Sequence, residues 1–180
     1  MLQEETIKIK DEYVYEIVGR GILIKDYIGK DQRIVIPEII ENKPVTKIGN
    51  EAFEGKNLLE VIMPDTVKEV GKYAFASNMY LTHIKLSSNL KAMPEGMLAF
   101  CAKLKELEIP ESVKSISKNA LDYVKLRKLI IPASVNKINN KIFGTKLEEN
   151  KSTTYIVEKG SYAEELILSK ELQIEYINHN

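Results

Sequence analysis

Apolar and polar residues alternate in short segments that recur along the chain about every 23 residues. Each segment ends at a similar anchor position, occupied in turn by Pro37, Pro64, Ser87, Pro110 and Pro132. The intervals between anchors are 27, 23, 23 and 22 residues. The first interval is longer because residues 39–44 (IIENKP) stand where later repeats have two residues. The chain therefore contains an internal repeat, which is typical of a solenoid.

Further apolar residues follow each anchor at nearly constant distances. The first is an apolar pair: Val45 and Ile48, Val67 and Val70, Leu90 and Met93, Val113 and Ile116, Val135 and Ile138. The second is a two-residue apolar group: Ala52-Phe53, Ala74-Phe75, Met97-Leu98, Ala120-Leu121 and Ile142-Phe143. The third is a closing leucine: Leu58, Leu81, Leu104, Leu126 and Leu147. These residues are the predicted core.

The alternation before each anchor predicts a short parallel β-strand, because residues two apart in a strand point to the same face. The apolar pair predicts a second extended piece, and the Ala-Phe group predicts one helical turn. A single repeat buries too few apolar side chains to offset the entropy of ordering its backbone, so the repeats must stack. The sequence thus predicts an α+β repeat solenoid with a short parallel sheet.

The residues outside the repeats predict a cap at each end of the stack, where strand edges and apolar surface need cover. Segments 12–18 and 22–27 flank Gly19-Arg20-Gly21 and predict a β-hairpin. Near the C-terminus, residues 155–157 and 174–177 predict strands. Between them, the capping-box spacing of Ser161 and Glu164 predicts a helix to about residue 172. The predicted division is a capping hairpin over 1–33, five repeats over 34–147 and a strand-helix-strand cap over 148–180.

The composition argues against a nucleic-acid-binding protein and a membrane protein. The 180 residues include 26 Lys and Arg and 26 Asp and Glu, so the formal net charge is zero. A neutral chain has no general attraction to nucleic acid. The apolar runs are too short for a transmembrane helix or a signal peptide, so we expect no membrane insertion. The sequence leaves open whether the native protein carries a leader outside this chain. It therefore also leaves open whether the protein is extracellular, attached to the cell surface or cytoplasmic. We expect a monomeric single domain.

Catalytic chemistry finds little support in the sequence. Cys101 is the only cysteine, and His83 and His179 are the only histidines. Nucleophile-base pairs and metal sites need several such groups to converge, and Cys101 has no histidine nearby in sequence. We therefore predict a protein that is not an enzyme, with no catalytic, metal-binding or cofactor-binding residues and no cofactor. Cys101 is expected to be a buried structural residue.

Outward positions of the predicted first strands form a candidate binding face. One column holds Arg33, Glu60, His83, Glu106 and Lys128, and the column beside it holds Val35, Ile62, Lys85, Glu108 and Ile130. The first column alternates in charge, so Arg33 with Glu60 and Glu106 with Lys128 are expected to form weak exposed ion pairs.

The second extended pieces carry one outward lysine per repeat. This candidate basic ridge consists of Lys47, Lys68, Lys91, Lys114 and Lys137, which do not all share one column. The ridge fits an anionic partner such as teichoic acid, a glycosaminoglycan or an acidic protein. The alternative is a solvated lysine edge that opposes strand-edge aggregation, which the abundance of lysine and the zero total charge favour.

Three segments carry a family resemblance: IPEIIENKPVTKIGNEAF (36–53), MPDTVKEVGKYAF (63–75) and IPESVKSISKNAL (109–121). They resemble the consensus of the BspA-like leucine-rich repeat family of bacteria, also known as the Treponema pallidum type. The resemblance covers residues 34–147 and implies a leucine-rich-repeat right-handed superhelix. Repeat 3 departs from the consensus through Ser87 and Met97-Leu98, and the cysteine column survives only at Cys101. We therefore expect the shape to be least regular at repeat 3.

The resemblance also implies a function. Many members are surface adhesins, so we expect a non-enzymatic module that binds an unknown protein or glycan, as part of a bacterial surface protein. The alternative is a structural spacer or accessory domain of a larger protein or complex.

Overall fold

Each repeat contributes one short strand to each of two parallel sheets and then closes through a turn. The chain winds in this way as a β-solenoid of about six turns. The structure is a computed structural model that describes residues 8–139, 141–142 and 152–177. Phe143, Leu147 and His179 lie outside these residues. The described residues contain one helix of 7 residues, so the expected α+β class is corrected to a nearly all-β solenoid.

The first sheet is built from the strands that precede the anchors. They are β4 (Arg33–Val35), β7 (Glu60–Ile62), β9 (His83–Lys85), β11 (Glu106–Glu108), β13 (Lys128–Ile131), β15 (Thr154–Val157) and β16 (Ile174–Tyr176). Paired neighbours run parallel, and Glu60 lies opposite both Arg33 and His83, so the predicted columns are confirmed there. The sheet has two hydrogen-bonded segments, β4-β7-β9 and β11-β13-β15-β16.

The second sheet is built from the strands that follow the anchors. They are β6 (Lys43–Ile48), β8 (Glu69–Val70), β10 (Ala92–Met93), β12 (Ser115–Ile116) and β14 (Lys137–Ile138). This sheet is interrupted between β8 and β10. Elsewhere the corresponding amides donate across the repeats, as Ser117 does to the Met93 carbonyl at 2.9 Å. Pro94 occupies this position in repeat 3 and has no N–H to donate.

Two additions extend the second sheet at its N-terminal end. Strands β1 (Lys8–Lys10), β2 (Tyr13–Val18) and β3 (Gly21–Tyr27) pair antiparallel in order, and β3 runs parallel to β6. The insertion in repeat 1 forms β5 (Ile39–Ile40), which pairs antiparallel with β6. Glu41 and Asn42 between them have φ values of 49° and 60°. Two consecutive left-handed residues make the tight turn that joins hairpin strands with the correct twist.

Turns replace the predicted helical turns on the third side of the solenoid. Hydrogen bonds still join successive turns, as from the Phe75 amide to the Met97 carbonyl at 3.0 Å. Each turn holds one left-handed residue two positions before, and one two positions after, a buried Phe or Leu. The pairs are Glu51 and Gly55, Tyr73 and Ser77, Gly96 and Phe100, and Asn119 and Tyr123. A right-handed helix cannot contain these conformations, so the prediction of a helical turn is wrong.

The core is a continuous line of apolar side chains shared between repeats. All predicted core residues within the described ranges are buried except Val70, which is partly buried. An aromatic stack runs through the first half of the core. The Phe53 ring lies between the rings of Tyr27 and Phe75, with centroid distances of 5.7 and 5.0 Å. This stack joins the N-terminal hairpin to repeats 1 and 2.

Asn78 takes the place of a cysteine in the repeat and is fully buried. Its Nδ2 atom donates to the carbonyls of Phe53 at 2.8 Å and Phe75 at 2.9 Å, and its Oδ1 atom accepts from the Leu58 amide at 3.0 Å. At the same position of the next repeat, Cys101 Sγ donates to the Phe75 carbonyl at 3.4 Å. Both side chains therefore tie a turn to the preceding repeat.

The C-terminal residues continue the first sheet. Helix α1 (Tyr162–Leu168) begins after Ser161, whose Oγ accepts from the Glu164 amide at 3.1 Å. The helix ends four residues before the predicted position. Glu171 adopts a left-handed φ of 55°, and the Leu172 amide bonds back to the Ile167 carbonyl, which terminates the helix.

Candidate functional site

The first sheet opens between β9 and β11, although both strands are present. At other junctions two backbone bonds close this position. Between β7 and β9 they run from Met63 N to Lys85 O (2.9 Å) and from Thr82 N to Leu59 O (2.9 Å). Between β11 and β13 they run from Ile109 N to Ile130 O (3.0 Å) and from Arg127 N to Lys105 O (2.7 Å). The corresponding bonds would join Leu86 N to Glu108 O and Lys105 N to Thr82 O. Neither forms, and these four groups have no hydrogen-bond partner among the described residues.

A groove of about 650 Å³ lies at this opening. Six of the ten residues predicted for the binding face line it: His83, Lys85, Glu106, Glu108, Lys128 and Ile130. Leu86 and Glu108 also line the groove, so one unpaired amide and one unpaired carbonyl lie beside charged side chains of both signs. Unpaired backbone groups are rare in folded proteins unless water or a ligand satisfies them.

The other four predicted residues lie where the sheet is closed. Arg33 and Glu60 pair as predicted, with 3.7 Å between Arg33 Nε and Glu60 Oε2. Val35 is 66% exposed and lies in register with Ile62. Glu106 and Lys128 are in register, yet their side chains form no ion pair, so that predicted pair is absent.

The predicted basic ridge consists of two columns on the second sheet. Lys68, Lys91 and Lys114 form one column, because each amide donates to the carbonyl of the preceding repeat at 2.9 to 3.1 Å. Lys47 and Lys137 lie in the neighbouring column, which also contains Glu69. Lys47 Nζ lies 2.7 Å from Glu69 Oε2, so its charge is neutralised locally.

A second groove, of about 790 Å³, lies where the second sheet meets α1. Lys72, Lys118 and Lys137 line it, together with Glu95 and the exposed Tyr162. Glu95 lies 3.0 Å from both Lys72 Nζ and Lys118 Nζ. Hydrogen bonds from Lys118 and then Lys72 lower the pKa of Glu95, so this carboxyl is ionised at neutral pH.

Sequence reasoning missed an exposed aromatic pair on the third side. Phe100 and Tyr123 are 44% and 45% exposed, and their rings stack with a centroid distance of 4.8 Å. Both occupy the left-handed position two residues after the buried leucine of their turn. Their equal distance from the anchors Ser87 and Pro110 was a usable signal, because equivalent residues in neighbouring repeats lie side by side.

The described residues contain no group of three or more His, Cys, Asp or Glu side chains that could hold a metal ion. No helix within the same ranges is both long and apolar enough to cross a membrane. Cys101 is fully buried, as expected, and burial raises the pKa of its thiol to about 12. A thiol with this pKa is not a nucleophile at neutral pH, because the thiolate is the reactive form.

We expect Cys101 to be unreactive in the native protein for this reason. Ellman's reagent at pH 8 should release less than a tenth of an equivalent of chromophore per chain within minutes, and about one equivalent after unfolding in urea. Cys101 is the only thiol of the chain, so the signal has one source. A full equivalent from the native protein would contradict the burial.

Solved structures share this architecture. A T. pallidum leucine rich repeat protein matches with a TM-score of 0.76 and 24% identity over 84% of this chain and 71% of its own. A leucine rich cell surface protein of Faecalibacterium prausnitzii matches with 0.74 and 28% over 88% of this chain and 41% of its own. A Bacteroides capillosus leucine-rich repeat protein matches with 0.58 and 35% over 68% and 99%. No curated protein matches.

The stacked strands and the recurring leucine positions define a leucine-rich repeat solenoid. The model of the BspA type leucine rich repeat region matches residues 31–148 with 6 copies. The chain belongs to the BspA-type leucine-rich repeat family. This family consists of repeat proteins that generally serve as interaction modules.

Proposed function

We propose that the protein is a non-enzymatic interaction module of a bacterial surface protein, which binds a protein or glycan segment in the groove between β9 and β11. The observation that carries this proposal is the opening of the first sheet, where Leu86 with its unpaired amide and Glu108 with its unpaired carbonyl both line the groove. A peptide or sugar chain offers amides or hydroxyls that can bond to both donors and acceptors. The F. prausnitzii cell surface protein supports a location at the cell surface, because it shares the fold at 28% identity.

The charges of the groove suit a polar ligand of low net charge. The groove is lined by two cations, Lys85 and Lys128, and by three anions, Glu106, Glu108 and Glu111. A strongly charged polymer of either sign would meet repulsion from at least two of these side chains. Groups of both signs instead favour recognition by specific pairing, since complementary charges contribute to specificity more than to affinity.

Binding of peptide and glycan arrays tests this function. We expect the wild-type protein to bind a limited set of array members. The double variant Lys85→Ala with Glu108→Ala should lose at least tenfold of that signal. The control Arg33→Ala with Glu60→Ala removes one charge of each sign from the closed part of the same sheet and should keep the signal. Equal binding by the groove variant, or no array member bound by any protein, would refute the proposal and favour a structural spacer.

The proposed module is a right-handed superhelix closed at both ends. The aromatic contacts of Tyr27 with Phe53 support a cap formed by the N-terminal hairpin. The parallel pairing of β15 with β13, followed by α1 and β16, supports a C-terminal cap that continues the first sheet. Capped ends suit a monomer, because a cap covers apolar surface at the end of a stack that another copy could otherwise extend.

A further inference from the structure

The second sheet carries a large positive charge in a chain whose total is zero. Its segments 45–50, 67–72, 90–95, 113–118 and 135–139 contain seven lysines and two glutamates, a formal charge of +5. The two glutamates are Glu69, paired with Lys47, and Glu95, shared by Lys72 and Lys118. The remaining four lysines, Lys68, Lys91, Lys114 and Lys137, have no acidic partner among the described residues.

Three of these four lysines stack directly upon each other. The amide of Lys91 donates to the carbonyl of Lys68, and the amide of Lys114 donates to that of Lys91. Neighbouring strands lie about 4.8 Å apart, so the three side chains leave the sheet as one row about 10 Å long. Like charges directly opposite each other in a sheet are destabilising. Folding alone therefore gives no reason for this arrangement.

Protection of a strand edge does not account for the row. The column begins at Thr46 and ends at Asn136, whose backbones bond to Lys68 and Lys114. The lysines therefore lie on the face of a stack that continues on both sides. Edge lysines act by blocking unpaired strand groups, and the backbone groups of this row are paired within the stack.

The groove beside the row indicates the kind of anion. Lys137 and Lys118 line it, and so do the hydroxyl-bearing residues Ser115, Ser117 and Tyr162. Tyr162 is 42% exposed and offers a ring as well as a hydroxyl. Sugar rings present hydroxyls together with apolar C–H faces, and an anionic sugar chain adds charges at intervals. A nucleic-acid duplex would need a broader basic surface than one row, and single strands bind through several stacked aromatic rings.

We infer that Lys68, Lys91 and Lys114, with the groove lined by Lys137 and Tyr162, form a binding surface for an anionic polysaccharide. The inference goes beyond the proposed function, because this surface lies on the second sheet and the proposed peptide or glycan groove on the first. The partner is a linear sugar polymer with sulfate or carboxylate groups, held by the lysine row and by hydroxyl contacts in the groove.

Binding of a fluorescent heparin oligosaccharide tests the inference. The ridge variant Lys68→Gln, Lys91→Gln, Lys114→Gln should bind about tenfold or more weakly at moderate salt. Its slope of log Kd against log salt should fall by about 2 to 3, because three fewer lysines release counterions. The control variant Lys103→Gln, Lys125→Gln, Lys159→Gln removes the same charge from exposed sites elsewhere and should bind like wild type. Equal losses in both variants, or no loss in the ridge variant, would overturn the inference.

Competitors distinguish the class of polyanion. Poly-L-glutamate and single-stranded DNA, supplied at equal charge concentration, should displace heparin at least tenfold less effectively than unlabelled heparin. Displacement as effective as that by heparin would show a general polyanion site and refute the assignment to polysaccharide. The groove variant Lys85→Ala with Glu108→Ala should keep heparin binding, so the two proposals can fail separately.

Discussion

Replacement of Phe75 by alanine should lower the free energy of unfolding by about 3 to 5 kcal/mol. The side chain is fully buried, and its ring stacks on Phe53 at 5.0 Å. The substitution leaves a cavity at an interface between repeats, and neighbouring repeats can close it only in part because their backbones are bonded to each other. Urea denaturation followed by circular dichroism measures the change.

Phe100→Ala is the matched control. Phe100 lies in the next turn, but it is 44% exposed and its main contact is the ring of Tyr123. Loss of one exposed aromatic contact should cost about 0.5 to 1.5 kcal/mol. A loss below about 1 kcal/mol for Phe75→Ala, or equal losses for both variants, would mean that the aromatic stack does not hold the repeats together.

Asn78→Asp should also destabilise the fold by about 3 to 5 kcal/mol at pH 7, because it leaves an uncompensated buried charge. The carboxylate would face the carbonyl oxygens of Phe53 and Phe75, which now accept from Asn78 Nδ2. Burial and these carbonyls would raise the pKa of the new aspartate above its unfolded value. The destabilisation should therefore grow as pH rises above about 4 and shrink below it, where both states bind the proton.

Asn50→Asp is the control for Asn78→Asp, because it makes the same change of side chain at an exposed site. Asn50 is exposed, and its Oδ1 accepts from the Lys72 amide, a bond that a carboxylate also makes. We expect a change of less than about 0.5 kcal/mol, as for most surface substitutions. A pH-independent loss for Asn78→Asp, measured as urea midpoints from pH 4 to 8, would contradict a buried charge.

The sequence predicts the stacked strands and most of the core because an inward side chain in every repeat meets its equivalent in the next. Val61, Ile84 and Leu107 show this directly: each is apolar, each occupies the same position and each is buried. The lysine column is readable for the same reason, since Lys68, Lys91 and Lys114 recur at one distance from their anchors.

The sequence does not predict features that depend on backbone geometry. The prediction of helical turns is wrong because Tyr73 and Phe100 adopt a left-handed conformation that their residue types do not indicate. The departures from the consensus at Ser87 and Met97-Leu98 predict an irregular repeat 3. Both sheet interruptions adjoin this repeat. Pro94 explains one interruption, whereas no single residue explains the opening of the first sheet.

Hydrogen exchange of individual amides tests the central claim, which is that the first sheet opens between β9 and β11 to form a binding groove. The amides of Leu86 and Lys105 have no acceptor within the described part of the chain, whereas their equivalents Met63 and Arg127 bond to the adjacent repeat. We predict that Leu86 and Lys105 exchange at least a hundredfold faster than Met63 and Arg127 when followed by NMR. Equal protection of all four amides would show a closed sheet and contradict the account.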